Sequence, residues 1–457
     1  MTTVRGADDS GLQPDGRALG TLPPSALVIL VAWLLLVVAI APTNGHWDGR
    51  GLLFAILSAV AVIAAGVVLR WGPRRPAVPA AWALAAVLGC AIAGAVVWEP
   101  GLYAGGPALR WSRWLAVLAA VVALLTVSRP RWLRTAAWTA VLVMTTAAGV
   151  LMVVASPAPR IDVWVILQQA ADVMLRGGNV FTSCWTANTD PLTDCVYPYL
   201  PMTTVLQIPF AVGLDDVRYA LVAALLGASV MVHRIAGTAA ASALAALLLL
   251  QPKLLFAVEQ SWTEPLLLVA LCVMVWATLR GRGVVAVAAF AVALASKQHM
   301  LLLLPLAAWW PAFGTRRAAL SLAVAAAVVA PFALGAPEAF VGDAFWFHLD
   351  LPPRPDALSL YSLALRRGDV PPFWIVPLAT AAALGLALAL PRTAAGFVLG
   401  SAGVLLIFNL ANKQTFFNHQ SLVVWLLVLA VAVLSREQDA GPAGVGARAT
   451  AVSRPGP

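Results

Sequence analysis

Charge is scarce in this chain: Asp, Glu, Lys and Arg make up 11% of the 457 residues, and only 3 of the 29 basic residues are lysine. A soluble domain carries about 25% charged residues, so a water-facing shell around one apolar core is excluded for most of the length. Cysteine is limited to 4 residues. No Cys/His spacing of the metal-ligand kind occurs, which leaves out a zinc module. A Gly-rich phosphate loop is also missing, so a nucleotide is not an expected ligand. The net charge of +9 comes from arginines in short clusters between apolar runs rather than along one basic face, which argues against nucleic acid as a partner.

Apolar residues are what the chain has in abundance, at 61%. Runs close to the roughly 20 residues that cross about 30 Å of hydrocarbon recur from Leu27 to Leu434. The expected fold is all-α, a polytopic transmembrane bundle of about fourteen spans, in contact with membrane lipids. A cytoplasmic tail (1–26) precedes an N-terminal block (27–156) with spans at Leu27–Ala41, Leu52–Leu69, Ala80–Val97, Trp114–Val127 and Ala136–Ala155. A polar outer loop (157–218) follows. The C-terminal block (219–435) has spans at Tyr219–Val232, Thr238–Leu250, Pro265–Leu279, Val284–Ala295, Met300–Ala312, Ala318–Leu334, Phe373–Leu390, Ala394–Leu410 and Ser421–Leu434. A Gly/Pro-rich cytoplasmic tail (436–457) reads as disordered. No cleavable leader is expected before the first span, and no internal repeat is visible.

Short loops rich in Lys and Arg favour the cytoplasm. With both termini inside, 17 basic and 5 acidic residues lie on the cytoplasmic side, against 12 and 15 outside. The apolar stretch Tyr199–Val212 would invert this bias if it spanned, so a helix lying in the outer interface is expected there. Val284–Ala295 and Met300–Ala312 are short and are broken by Lys297-Gln298-His299.

All three lysines then fall on the outer face. At 3.6 periodicity Asp162, Gln168, Gln169, Asp172 and Arg176 line one side of a helix whose other side is Val163, Ile166, Leu167, Ala170, Val173 and Met174. This predicts an amphipathic helix at the membrane surface, ended by Gly177-Gly178-Asn179. A structural reading of its charges is open: Asp162 as an N-cap and Asp172 paired to Arg176. Cys184 and Cys195 flank a polar loop in an oxidising compartment and are expected to form a disulfide. Further outer loops carry Lys253 with Glu259, Gln260 and Glu264; then Lys297, Gln298 and His299. Asp343, His348, Asp350, Arg354, Arg366 and Arg367 follow, and finally Lys413, Asn418 and His419. Lysine suits a phosphate, and aromatics interleaved with carboxylates and amides suit sugar rings.

Several of these segments, in this order, resemble the GT-C membrane glycosyltransferases. Asp162-Val163-Trp164, the helix closing on Arg176-Gly177-Gly178-Asn179-Val180-Phe181, and Tyr197-Pro198-Tyr199-Leu200-Pro201 are similar to the first outer loop of that family. Its polyprenyl-phosphate-sugar-dependent mannosyl- and arabinofuranosyltransferases are the nearest in pattern. Glu259-Gln260-Ser261-Trp262-Thr263-Glu264-Pro265, Ala295-Ser296-Lys297-Gln298 and Asn412-Lys413-Gln414-Thr415-Phe416-Phe417-Asn418-His419 extend the likeness over roughly 162–434. The second acid that many members carry beside the first is missing, because Val163 and Trp164 follow Asp162.

The resemblance implies transfer of a sugar, mannose first, from a polyprenyl-phosphate donor to a lipid or glycan acceptor of the cell envelope at the extracytoplasmic face. It implies Asp162 as general base. Lys297, Lys413, Arg366 and Arg367 would hold the donor phosphate, and Glu259, Gln260, Glu264, Gln298, His299, His348 and His419 the sugar or acceptor. No cofactor is expected, and a divalent metal stays open. The alternative is a secondary transporter or lipid flippase, kept open by the short helix pair around Lys297.

Overall fold

The computed structural model describes residues 21–72, 78–237 and 240–439. The expected tails at 1–26 and 436–457 lie mostly outside these residues, as do Arg74, Arg75 and the Thr238 start of one expected span.

Where nearly every position is apolar, a helix satisfies its own backbone and exposes only side chains. The chain accordingly forms α1 (Pro24–Ile40), α2 (Gly49–Trp71), α3 (Ala80–Val97), α4 (Gly106–Thr126), α5 (Arg131–Ala155), α6 (Asp162–Leu175) and α7 (Met202–Leu214). It continues with α8 (Arg218–Ala236), α9 (Ala241–Leu249), α10 (Leu254–Glu259), α11 (Glu264–Leu279), α12 (Gly283–Leu294) and, after a 3-10 segment Gln298–Leu303, α13 (Leu304–Trp309). It ends with α14 (Gly314–Gly335), α15 (Pro337–Val341), α16 (Phe347–Asp350), α17 (Leu360–Arg366), α18 (Ile375–Leu388), α19 (Ala394–Ala411) and α20 (Phe417–Asp439). Thr21–Leu22 and Val78–Pro79 add a two-residue antiparallel pair. The last helix therefore runs four residues into the segment expected to be a disordered tail.

Among the described residues eight helices are long and apolar enough to cross a membrane: α2, α3, α4, α5, α8, α14, α19 and α20. The other expected spans are helical but shorter. At 1.5 Å per residue, α9 extends only about 14 Å and α12 about 18 Å, so each stops short of a full crossing.

The helices run back and forth between two ends. At one end arginines cap carbonyls across neighbouring turns: Arg70 donates to Ala389, Arg392 to Trp309 and Arg436 to Ile235. The other end gathers the loops 41–48, 98–105, 156–217, 250–263, 295–297, 336–374 and 412–416, and it holds all three lysines. We call it the site end.

The N-terminal block is not a separate unit. Side chains from α1 to α5, from α8 to α14 and from α17 to α20 share one buried cluster, to which Leu422 to Leu434 of α20 contribute a fully buried run. α1 and α2 pack on α20 and α19, and α3 to α5 on α9 and its neighbours. Loop 41–48 closes over the start of α20 through Gly45, whose φ is +74° and whose hypothetical Cβ would meet the Phe417 amide at 2.1 Å. Only glycine fits there.

Loop 98–105 is latched by a single buried carboxylate. Glu259, at the end of α10, accepts the amides of Leu102, Tyr103 and Ala104 at 2.5–2.7 Å and the Gln260 side-chain amide at 2.9 Å. Its acceptor capacity is thereby filled by protein. Glu259→Ala leaves these donors unpaired and is expected to cost about 2–4 kcal/mol; a clear fall in melting temperature in detergent, larger than that of Glu259→Gln, checks it.

Candidate functional site

Helix α6 begins at Asp162 itself; the N-cap is Ile161, in extended conformation. Asp162 is thus the first helical residue and not the cap. A carboxylate in this first turn is favoured by the helix dipole. Burial acts the other way and more strongly: it lifts the carboxyl above its ordinary range, helped by the charge of Asp190 and opposed by the Val163 amide and the Thr193 hydroxyl. Asp162 is therefore a stronger base than an exposed helix-start aspartate.

The polar side of α6 is docked rather than solvated. Gln168 accepts the Val217 amide at 3.0 Å and donates to the Asp215 carbonyl at 3.3 Å. Gln169 pairs with Thr186 in both directions, at 2.9 and 2.7 Å. Among the described residues no ion pair joins Asp172 to Arg176, and both are exposed. The apolar side, Val165, Ile166, Leu167, Ala170 and Ala171, packs with Phe181, Trp185 and Tyr197 into a second small core. Cys184 and Cys195 are joined as a disulfide over this core.

Arg218, fully buried, ties α6 to the bundle: it pairs with Asp216 at 2.6 Å, donates to Ser156 at 2.8 Å and faces the Trp164 ring at 5.6 Å. Sequence reasoning passed over Arg218, since a lone Arg after two Asp reads as an exposed turn.

The break between α12 and the 3-10 segment places Lys297 in extended conformation. Its ammonium meets Glu264, the first residue of α11, at 2.6 Å and lies 5.6 Å from the Tyr199 ring centre. Asn418 of α20 donates to the same Glu264 oxygen at 3.3 Å. The other oxygen, Oε2, has no protein partner, nor do the buried His419 Nδ1, Ser261 Oγ, Thr263 Oγ1 and Gln420 Nε2. Unpaired buried polar atoms are rare. Here one of them is the ion pair's own carboxylate oxygen, and another belongs to His419, which lies within electrostatic reach of Glu264.

Tyr199 connects the two halves of the site. Burial, then the charges of Asp162 and Glu264, push its phenol up, so both carboxylates act on one ring. Tyr103, on the latched loop, is likewise raised by burial, by Glu259 and by Asp162. The N-terminal block thus borders the site, which its sequence did not signal.

The histidines gather around Lys297. The rings of His299 and His419 lie 6.4 Å apart. His348 bonds the Pro198 carbonyl at 2.9 Å; burial lowers its pKa, and Lys297 and Lys413 act in the same direction. Gln298 donates to Pro198 and Ala344 carbonyls at 3.2 and 3.0 Å, so its amide fastens loops. Lys413 donates to the Leu349 carbonyl and sits 5.1 Å from the Phe373 ring centre.

Other expected site residues lie elsewhere. Glu259 and Gln260 belong to the latch. Arg366 donates to the Pro355 carbonyl at 2.7 Å over Trp47, and Arg367 is exposed at the end of α17. In their stead Arg354, paired with Asp356 at 2.6 Å, lies within electrostatic reach of Asp162 and Asp190. Among the described residues no three His, Cys, Asp or Glu side chains are placed to hold a metal ion.

Asp343 fastens the Tyr197-Pro198-Tyr199 segment, accepting the Tyr197 amide at 2.8 Å; burial raises its pKa to about 6. A cavity of about 40 Å³ lies beneath the Glu259 latch, walled by Ala91, Ala95, Trp98 and Ala120 and containing the unpartnered Gln251 amide.

No protein-family model, no curated protein and no solved structure matches this chain. Functional inference therefore rests on the geometry and on the order of the motifs.

Two measurements check the site's electrostatics. Lys297→Met leaves Glu264 charged and buried and is expected to cost about 3–5 kcal/mol, whereas adding Glu264→Gln should restore much of that; thermal unfolding of the single and double variants decides. Asp343 binds its proton more tightly folded than unfolded, so its contribution to stability is lost as pH rises from about 4 to about 6. Asp343→Asn retains the acceptor for Tyr197 and should flatten the melting-temperature profile across that window.

Proposed function

We propose that this chain is a GT-C-type membrane glycosyltransferase with about fourteen spans, both termini cytoplasmic and the site end facing outward in the cell membrane. It moves a sugar, mannose first, from a polyprenyl-phosphate donor to a glycolipid or glycan acceptor of the envelope. The observation that carries this reading is the buried Lys297–Glu264 pair against the Tyr199 ring, with one Glu264 oxygen left without a protein partner and Asp162 within electrostatic reach of the same ring.

In this reaction the acceptor hydroxyl oxygen bonds to the anomeric carbon as the bond from that carbon to the phosphate oxygen breaks. Asp162 takes the hydroxyl proton, and its burial raises its basicity for that task. Negative charge grows on the departing polyprenyl phosphate, where Lys297, Lys413 and Arg354 supply positive charge. Arg354 is preferred to Arg366 and Arg367 in this role because it lies within electrostatic reach of Asp162. His348, His299 and His419 are donors and acceptors for sugar hydroxyls. Exposed Phe345, Trp346 and Phe373 offer the polyprenyl chain an apolar path beside Lys413. Lys297 and Glu264 are buried, so charge interactions at this turn are stronger than in water.

A buried ion pair at the break between two short helices also favours a second reading, a secondary transporter or lipid flippase. Donor consumption separates the two. Purified protein should consume a polyprenyl-phosphate sugar, and Asp162→Asn should lower kcat by at least about a hundredfold while the protein stays folded. The acid limb of kcat/KM should lie above the ordinary aspartate range, with rate lost as pH falls through the raised Asp162 pKa. Full activity of Asp162→Asn removes Asp162 as base, and solute movement in vesicles without donor consumption favours transport.

A further inference from the structure

At the opposite, arginine end we infer a binding site for a phosphate group, with the Arg134 guanidinium as its recognition element. This inference is independent of the sugar-transfer reading, because no residue is shared with the site end.

Arg134 lies in the first turn of α5 and is only 3% exposed. Its Nη1 donates to the Arg129 carbonyl; its buried Nε has no partner. Among the described residues no hydrogen bond engages Nη2 either. The Nε–Nη2 edge is the two-pronged face that matches a pair of phosphate oxygens.

Among the described residues the charges acting around it are positive. Arg131 acts on Arg134, and Arg131 and Arg234 act on His233. Removing a guanidinium from water without a counter-charge costs several kcal/mol, and an anion from outside the chain would offset this.

The local geometry offers one oxygen of such an anion a pocket of about 10 Å³, room for a single water-sized group. Arg134, Thr126, Trp138 and Ser242 line one small pocket. The His233 ring stacks on Trp138 at 4.1 Å and contacts Ser242 Oγ at 3.3 Å, which holds the hydroxyl beside the pocket. Helices α5 and α9 both begin here, and their N-terminal ends favour negative charge. An apolar surround with a basic pocket between helices suits a lipid phosphate headgroup; inorganic phosphate offers the same oxygens.

The test uses the full chain purified in detergent, with thermal unfolding followed as phosphatidylglycerol, phosphatidylcholine or inorganic phosphate is added. Phosphatidylglycerol should raise the melting temperature more than phosphatidylcholine, whose quaternary ammonium neutralises the same phosphodiester. Arg134→Gln should weaken the phosphatidylglycerol response at least about tenfold in midpoint concentration. Arg134→Lys, which keeps the charge without the fork and so guards against a misfolded Gln variant, should weaken it as well. Arg280→Gln, at an exposed arginine of the same end, should leave it unchanged. An equal shift with inorganic phosphate alone supports the site with soluble phosphate as its ligand. No response to any phosphate compound, an undiminished response in both Arg134 variants, or an equal loss in Arg280→Gln overturns the proposal.

Discussion

The Lys297 ammonium and the Glu264 carboxylate face each other at 2.6 Å, 8% and 1% exposed, across the ends of two helices. Neither charge is stable at that depth without the other. The pair therefore dictates where the chain breaks: α12 stops short so that Lys297 can turn back, and α11 starts at Glu264. Asn418 brings α20 to the same oxygen, and the Tyr199 ring covers the ammonium. One ion pair thus sets the relative positions of four segments that are remote in sequence. Its second carboxylate oxygen remains unpaired, which gives the pair a chemical capacity beyond holding helices together.

A second buried carboxylate organises the other half of this end. Glu259 spends its acceptors on three successive amides of loop 98–105, and that loop carries Tyr103 into the electrostatic range of Asp162. Glu259 and Glu264 stand five residues apart, yet one is saturated by amides and the other faces a lysine. The difference arises because α10 ends against the N-terminal helices while α11 starts against the Lys297 turn. The first five helices are in this way part of the site's support and of the common core.

Much of the architecture was legible in the pattern of residues. Each expected span is helical because long apolar runs leave the backbone no water to bond, and the disulfide loop and the interruption at Lys297 sit where composition placed them. Lengths were less legible. Apolar character does not reveal that α9 stops after nine residues or that α12 stops after twelve, since a turn sealed by protein looks as apolar as the middle of a span. The polar stripe of α6 was visible, but its partners were not. Gln168 and Gln169 read as surface residues until the loops 186 and 215–217 close on them.

The sequence by itself determined the membrane class, the helical content, the crowding of lysine and carboxylates at one end and the candidacy of Asp162 and Lys297. These follow from hydropathy, periodicity and charge, which are local properties. Only the tertiary structure decided which charges neutralise one another, that Arg354 lies within electrostatic reach of Asp162, that burial makes Asp162 more basic, and that Arg134 is buried with no counter-charge among the described residues. Desolvation and pairing depend on distances between segments far apart along the chain, and no local pattern carries that information.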